Sequence, residues 1–162
     1  MLSPQAVLEG TDWDHLVHAY AVASDTPIRL AQLLDASPRV RSLALAQLDM
    51  SVLNQDTLYP ATAPAALFIA GILSDSRTDV LDGEGRPMRA SLIEWLGRVD
   101  EADTYGEAEG ELLEDDEERE SVMGCRAIRA DLGEAIRPFL DSPDEEIRKV
   151  AGVVYANLAS RG

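Results

Sequence analysis

A helix end, a tight turn and the start of a second helix are written almost twice in this chain, and that repetition constrains the fold more than any other feature. Leu33 to Leu48 reads Leu-Leu-Asp-Ala-Ser-Pro-Arg-Val-Arg-Ser-Leu-Ala-Leu-Ala-Gln-Leu. The same order of residue types returns as Phe139-Leu-Asp-Ser-Pro-Asp-Glu-Glu-Ile-Arg-Lys-Val-Ala. A looser copy, Met88-Arg89 followed by Leu92, Ile93 and Leu96, lies between them. In the first copy a short helix ends at Leu34, a turn runs from Asp35 to Ser37, and a second helix starts at Pro38. Ser37 suits the capping position and Pro38 the first helical position, where no backbone N–H is needed.

Each copy carries an apolar residue followed by an arginine: Val40-Arg41, Met88-Arg89 and Ile147-Arg148. Arg41 and Arg89 are 48 residues apart, and Arg89 and Arg148 are 59 apart. The excess of 11 falls in the interval that holds a strongly acidic stretch, as expected of an insertion between repeats. A period in the forties with two helices per unit is the signature of a helical solenoid. The residues Asp35-x-x-Pro38-x-Val40-Arg41-x-x-Ala44 and Asp141-x-Pro143 leading to Ile147-Arg148-x-x-Ala151 resemble HEAT repeats, and the chain as a whole is similar to small bacterial HEAT-like proteins. The resemblance implies that a turn aspartate and a helix arginine hydrogen-bond to tie successive repeats together. It assigns that role to Asp35 with Arg41 and to Asp141 or Asp144 with Arg148, with Arg89 in the corresponding place. The middle copy departs from the pattern, having Asp82 far from Arg89 and Ser91 to Ile93 where a small alanine is usual. The expected fold is all-α: a short right-handed solenoid of about seven or eight HEAT-like helices, one domain over residues 1–162 with an acidic insertion at about 100–120.

Taken in order, Asp12 is placed to cap a helix carrying Trp13, Leu16, Val17 and Tyr20, and Thr26-Pro27 opens another. The helix from Pro38 to about Leu53 is apolar over much of its circumference, which suits an element sandwiched between neighbours. Asn54 to Pro60 is a connection. Thr62 to Leu73 is the most apolar helix and is expected at the centre. Ser74 to Pro87 is a loop with the turn-rich Asp82-Gly83-Glu84-Gly85. From Pro87, Met88, Leu92, Trp95, Leu96 and Val99 fall on one helical stripe. Helix resumes by about Glu118, with Gly133 and Pro138 predicting a break, and the last helix covers about Asp144 to Ala159.

Charge narrows the function classes. The chain carries 30 acids against 14 Lys and Arg, a net −16, and Asp100 to Glu120 alone holds 12 acids and one base. Such a chain is repelled by phosphate backbones and anionic headgroups, so direct nucleic-acid or membrane binding is disfavoured and a basic protein partner favoured. A single cysteine, Cys125, excludes an intrachain disulfide and fits a reducing compartment. No basic segment precedes an apolar core near Met1, and the run Ala63 to Leu73 is too short to span a bilayer. A cytoplasmic protein is expected.

The acidic stretch is the one constellation above background. Glu111, Glu114, Asp115, Asp116, Glu117 and Glu118 are the candidate partner contacts, as a lure for Lys and Arg; the competing reading is a solvated loop that keeps the protein dispersed. Its spacing is not that of an EF-hand. His15 and His18, three apart on the expected helix, have no third ligand nearby in sequence. Cys125 falls on an apolar stripe and reads as a core thiol, and Trp13 and Trp95 as core or groove residues. Gln55 to Pro60 is placed to take an anion or peptide beside a helix N-terminus, or simply to connect two repeats.

These features favour a non-catalytic protein–protein interaction module, most concretely an intracellular inhibitor or immunity protein that occludes a basic partner, with no cofactor or metal. An alternative is a DNA-mimic regulator, whose carboxylates imitate phosphates. A third is a HEAT-like enzyme such as a DNA alkyl-base glycosylase, which needs a basic concave face that a net −16 opposes.

Overall fold

Eight α-helices account for most of the computed structural model, which describes residues 3–108 and 116–161, with the backbone alone over 103–108. They are α1 (Pro4–Gly10), α2 (Thr26–Gln32), α3 (Pro38–Val52), α4 (Thr62–Ile72), α5 (Met88–Ala108), α6 (Asp116–Ala127), α7 (Arg129–Ile136) and α8 (Glu145–Ser160). Ile128 alone parts α6 from α7. Among the described residues no strand forms; extended backbone pairs only at the isolated bridges Val17–Val22 and Leu81–Pro87. No helix among them is long and apolar enough to cross a membrane. The protein is all-helical.

Helix starts follow local chemistry. Ser3 caps α1 through its hydroxyl, which accepts the Ala6 N–H at 3.2 Å. The Asp144 carboxylate accepts the N–H groups of Glu146 and Ile147 at 2.9 and 3.1 Å and caps α8, whose first turn is acidic as its dipole favours. Pro38 opens α3 as expected, but the Ser37 side chain makes no capping bond. Asp35 holds that turn instead, its carboxylate accepting the Ser37 N–H at 2.8 Å.

The core gathers on α4, which is buried nearly all round and touches α1, α2, α5, α6 and α7. The expected central position of Thr62 to Leu73 matches this. Helix α2 pairs with α3, α4 with α5 and α7 with α8; between pairs, α4 lies on α7 and α5 on α8. The α5–α8 approach is close because residue 97 is glycine, where a Cβ would come within 2.7 Å of Val154 Cγ2.

The helix expected from Asp12 is absent. Residues 12–24 form a loop of turns, with the Ala19 N–H bonded to the Ser51 carbonyl, the Ala61 N–H to the Val17 carbonyl, and a bridge at Val17–Val22. Its backbone groups pair in short turns, within the loop and across the fold, rather than four residues along a helix, so the helical spacing of Trp13, Leu16, Val17 and Tyr20 is overridden. His15 and His18 therefore share no helix face. The predicted break at Gly133 is also displaced: Gly133 lies inside α7, and the chain breaks at Ile128 and tightens into a 3₁₀ turn over Arg137–Asp141. The α1 helix was not foreseen in the sequence.

The three repeat arginines do comparable work, though not with the expected partners. Arg41 is almost wholly buried and donates to the carbonyls of Asp35 and Ala36 at 2.7 and 3.1 Å, and to Leu81 at 3.0 Å. It joins its own turn to the loop before α5. Arg89 donates to the Leu73 and Asp75 carbonyls at 3.0 and 3.3 Å, pairs with Asp79, and lies 5.6 Å from the centre of the Phe139 ring. Arg148 donates to the Ser142 carbonyl at 2.6 Å. Among the described residues neither Asp35 nor Asp141 offers its carboxylate to an arginine, and Asp144 uses its own as a cap. The turn aspartate accepts backbone N–H groups, which leaves turn carbonyls as the acceptors for arginine. In the middle copy the counterpart of Asp35 is Asp75, which accepts the Arg77 N–H at 2.9 Å, rather than Asp82. Asp35 and Arg41 are six apart whereas Asp75 and Arg89 are fourteen apart, and the additional length is a hairpin around Gly85, whose φ of +82° suits glycine.

Candidate functional site

Helix α5 positions the most distinctive surface. Over Met88 to Ala102 its side chains are buried except Arg89, Ser91, Glu94, Arg98 and Glu101, and the last four recur every three or four residues as one polar stripe. Facing this stripe across from α3 is a groove of about 270 Å³. Leu45, Met88 and Trp95 supply its apolar lining, and Asp49, Asp82, Glu84 and Glu94 its carboxylates, with Arg98 the one cation among the lining residues. A second hollow, between α5 and α8, shares Glu94 and Arg98 with the first and is walled by Gly97, Val150, Val153 and Val154. The two lie side by side across three helices.

Ion pairs brace this surface. Arg98 donates to Asp49 at 2.5 Å and to Asp56 at 2.7 Å. Burial pulls the Arg98 pKa down, but the Asp56 hydrogen bond and the charges of Asp49 and Asp56 outweigh it and raise it overall. Arg86 bridges Glu94 and Glu146. Asp82 accepts the N–H groups of Glu84 and Arg86, both at 2.9 Å, and the Ser91 hydroxyl at 3.0 Å. Burial pushes its carboxyl up, yet those donors prevail and hold it below the usual carboxylate range. Trp95 is 3 % exposed, and its indole N–H has no hydrogen-bond partner among the described residues.

Of the six acids singled out in the sequence, Glu111, Glu114 and Asp115 lie outside the described residues. Asp116, Glu117 and Glu118 form the first turn of α6 with exposed side chains, where the helix dipole favours them, and Asp116 pairs with Arg119 at 3.2 Å. Asp100, counted with the acidic stretch, belongs inside. Its side chain is 1 % exposed and accepts from Arg129 Nε and Arg161 Nη1, each at 2.7 Å. Asp100 to Ala108 continues α5.

The remaining candidates separate. His15 is exposed beside Asp12, whose hydrogen bond and charge raise its pKa. His18 is buried, with Nε2 3.0 Å from Asp25, and its Nδ1 accepts the Tyr20 N–H at 3.2 Å, which places the ring proton on Nε2. Cys125 is buried, and Trp13 donates its indole N–H to the Leu8 carbonyl at 3.2 Å. Gln55 and Asp56 take left-handed φ values of 53° and 56°, which turns Asp56 toward Arg98. Among the described residues no three His, Cys, Asp or Glu side chains gather as metal ligands.

Asp49, Asp82, Glu84, Glu94 and Arg98 were missed in the sequence. The signal available was the polar stripe Ser91, Glu94, Arg98, Glu101 on an otherwise apolar helix, a pattern with no place in a wholly buried rod. Compared with protein-family models, with curated proteins and with solved structures, the chain gives no match.

Proposed function

We propose that this chain is a non-catalytic protein-interaction module, a short right-handed HEAT-like solenoid whose α3, α5 and α8 side meets a basic partner. The pairing of α2 with α3, α4 with α5 and α7 with α8 supports that architecture, as do arginines tying each turn to its helix. The observation that carries the function is the acidic groove beside Trp95, with four carboxylates to one arginine among its lining residues, in a chain of net −16. A surface of that sign draws lysine- and arginine-rich proteins together with it and repels nucleic acid and anionic lipid. The most concrete version is an intracellular inhibitor or immunity protein that masks a basic toxin or nuclease by occlusion, with Asp116, Glu117 and Glu118 on α6 as an outlying lure.

Affinity purification from the native cell, with the wild type and with Asp116, Glu117 and Glu118 changed together to lysine, tests this. A basic protein is expected with the wild type at low salt, lost at high salt because exposed charges are screened, and weakened by the triple change. Retention that ignores both salt and charge reversal overturns the reading.

A further inference from the structure

We infer that this protein pairs with a second copy of itself through the outer face of α3, the two helices running antiparallel about a twofold axis between Leu43 and Ala46. The pairing goes beyond the interaction reading above and does not depend on the basic partner.

The fold leaves this face open although it is apolar. Helix α3 turns Ala44, Leu48 and Val52 to the core and packs on α2 and on the 3₁₀ turn Asn54–Asp56. On its opposite side, at about 100° per residue, fall Arg39, Leu43, Ala46 and Met50. All four are exposed, Leu43 by 57 % and Met50 by 56 %. Their alternating steps of four and three residues are those of a seam between two helices. Tyr20, 65 % exposed, lengthens the stripe at its Met50 end. Asn54 Nδ2 donates both to the Tyr20 hydroxyl, at 3.4 Å, and to the Met50 carbonyl, at 2.9 Å.

What covers the stripe follows from its being complementary to itself. Leu43 and Ala46 share one midpoint with Arg39 and Met50, so a single twofold axis sets Leu43 of one copy against Ala46 of the other and Arg39 against Met50. Large meets small at the centre, which lets the helices approach. Arg39 makes no ion pair or hydrogen bond among the described residues. In the antiparallel pair it reaches the far end of the other helix, where Asp49, 37 % exposed, offers a carboxylate and Tyr20 the face of its ring. Parallel pairing instead sets the two Arg39 side by side. The charge of the whole chain selects the same surface. Among the helices, α2 and α3 alone hold more base than acid, in a chain of net −16. A basic protein is drawn elsewhere, and another acidic copy meets the least repulsion here. About four turns of one helix make a small interface, so the pairing is weak and depends on concentration.

Sedimentation equilibrium of the full chain between about 10 µM and about 1 mM provides the test. The average mass is expected to climb from that of one chain toward that of two. It should climb further at high salt, because the repulsion between two chains of net −16 is screened; capture of a basic partner has the opposite salt dependence. Leu43→Glu and Ala46→Arg are each expected to stay monomeric, and their equimolar mixture to associate, since residue 43 of one copy faces residue 46 of the other and the mixture gains an ion pair there. Arg39→Gln, at an exposed position without contacts, is expected to weaken pairing about tenfold, and it carries the test should either of the other variants unfold at lower urea than the wild type. A wild-type chain that stays monomeric, association that fades with salt, a folded Leu43→Glu or Ala46→Arg that pairs like the wild type, a folded mixture that stays monomeric, or Arg39→Gln that pairs as tightly as the wild type overturns the inference. None of these outcomes bears on the capture of a basic partner.

Discussion

Two neighbouring residues of α5, Arg98 and Asp100, each sit at the centre of a three-membered ion cluster, and their surroundings are opposite. Arg98 reaches toward α3 and holds two aspartates, Asp49 and Asp56, with its side chain 36 % exposed. Asp100 turns the other way, holds two arginines, Arg129 and Arg161, and is 1 % exposed. On the Asp100 side Arg129 from α7 and Arg161 after α8 close over the carboxylate, so the cluster is sealed. On the Arg98 side Ser91, Glu94 and Arg98 face a groove. The cover that Arg129 and Arg161 give Asp100, and the groove beside Arg98, decide which cluster joins the core and which remains available to solvent.

The largest effect is expected where the cluster is sealed. Asp100→Ala leaves two arginines on one edge of the core without their shared carboxylate. Removing one partner of a buried pair costs about 3–5 kcal/mol, and because both guanidinia keep partial contact with water about 2–4 kcal/mol is expected here. A urea unfolding midpoint reads this directly, and a loss under about 1 kcal/mol would mean that the clasp is not a closing contact.

How much of this was legible in the sequence depended on whether local or long-range chemistry decided it. The α3, α4 and α8 boundaries were readable within a residue or two because Pro38 and Asp144 act on their own helix starts and α4 is one continuous apolar run. The loop over residues 12–24 was not, since two of its backbone bonds go to Ser51 and Ala61, far along the chain. Arg41 and Arg148 were recognisable as repeat residues, but their acceptors are carbonyls, which every residue carries and no sequence distinguishes. Asp100 looked like one more acid in a run of twelve, and only the return of Arg129 and Arg161 to α5 separates it from the rest. The groove was half-visible: the polar stripe on α5 was there to be seen, but its facing wall comes from α3 and from the hairpin before Met88.

Smaller effects are expected on the open side. Arg98→Ala removes two ion pairs between partly exposed groups, which are worth about 0.5–1 kcal/mol together, and that loss shrinks as salt is added. Unfolding midpoints at low and high salt check it, and a salt-independent loss approaching that of Asp100→Ala would erase the contrast between the two clusters. The smallest effect, and the one most specific to the groove wall, belongs to Asp82. Its carboxyl titrates below its ordinary 3.8 because the N–H groups of Arg86 and Glu84, the Ser91 hydroxyl and the Arg86 charge outweigh its burial. The folded chain therefore binds that proton less readily than the unfolded chain does, and stability contributed by Asp82 is complete above pH 3.8 and is lost as the pH falls below it toward the lowered folded value. Asp82→Asn resembles the protonated acid at every pH. Its deficit against the wild type, read from urea midpoints at several pH values, should be present near neutrality and close in strong acid; a deficit that stays constant through that range would mean that the hairpin needs the shape of this side chain and not its charge.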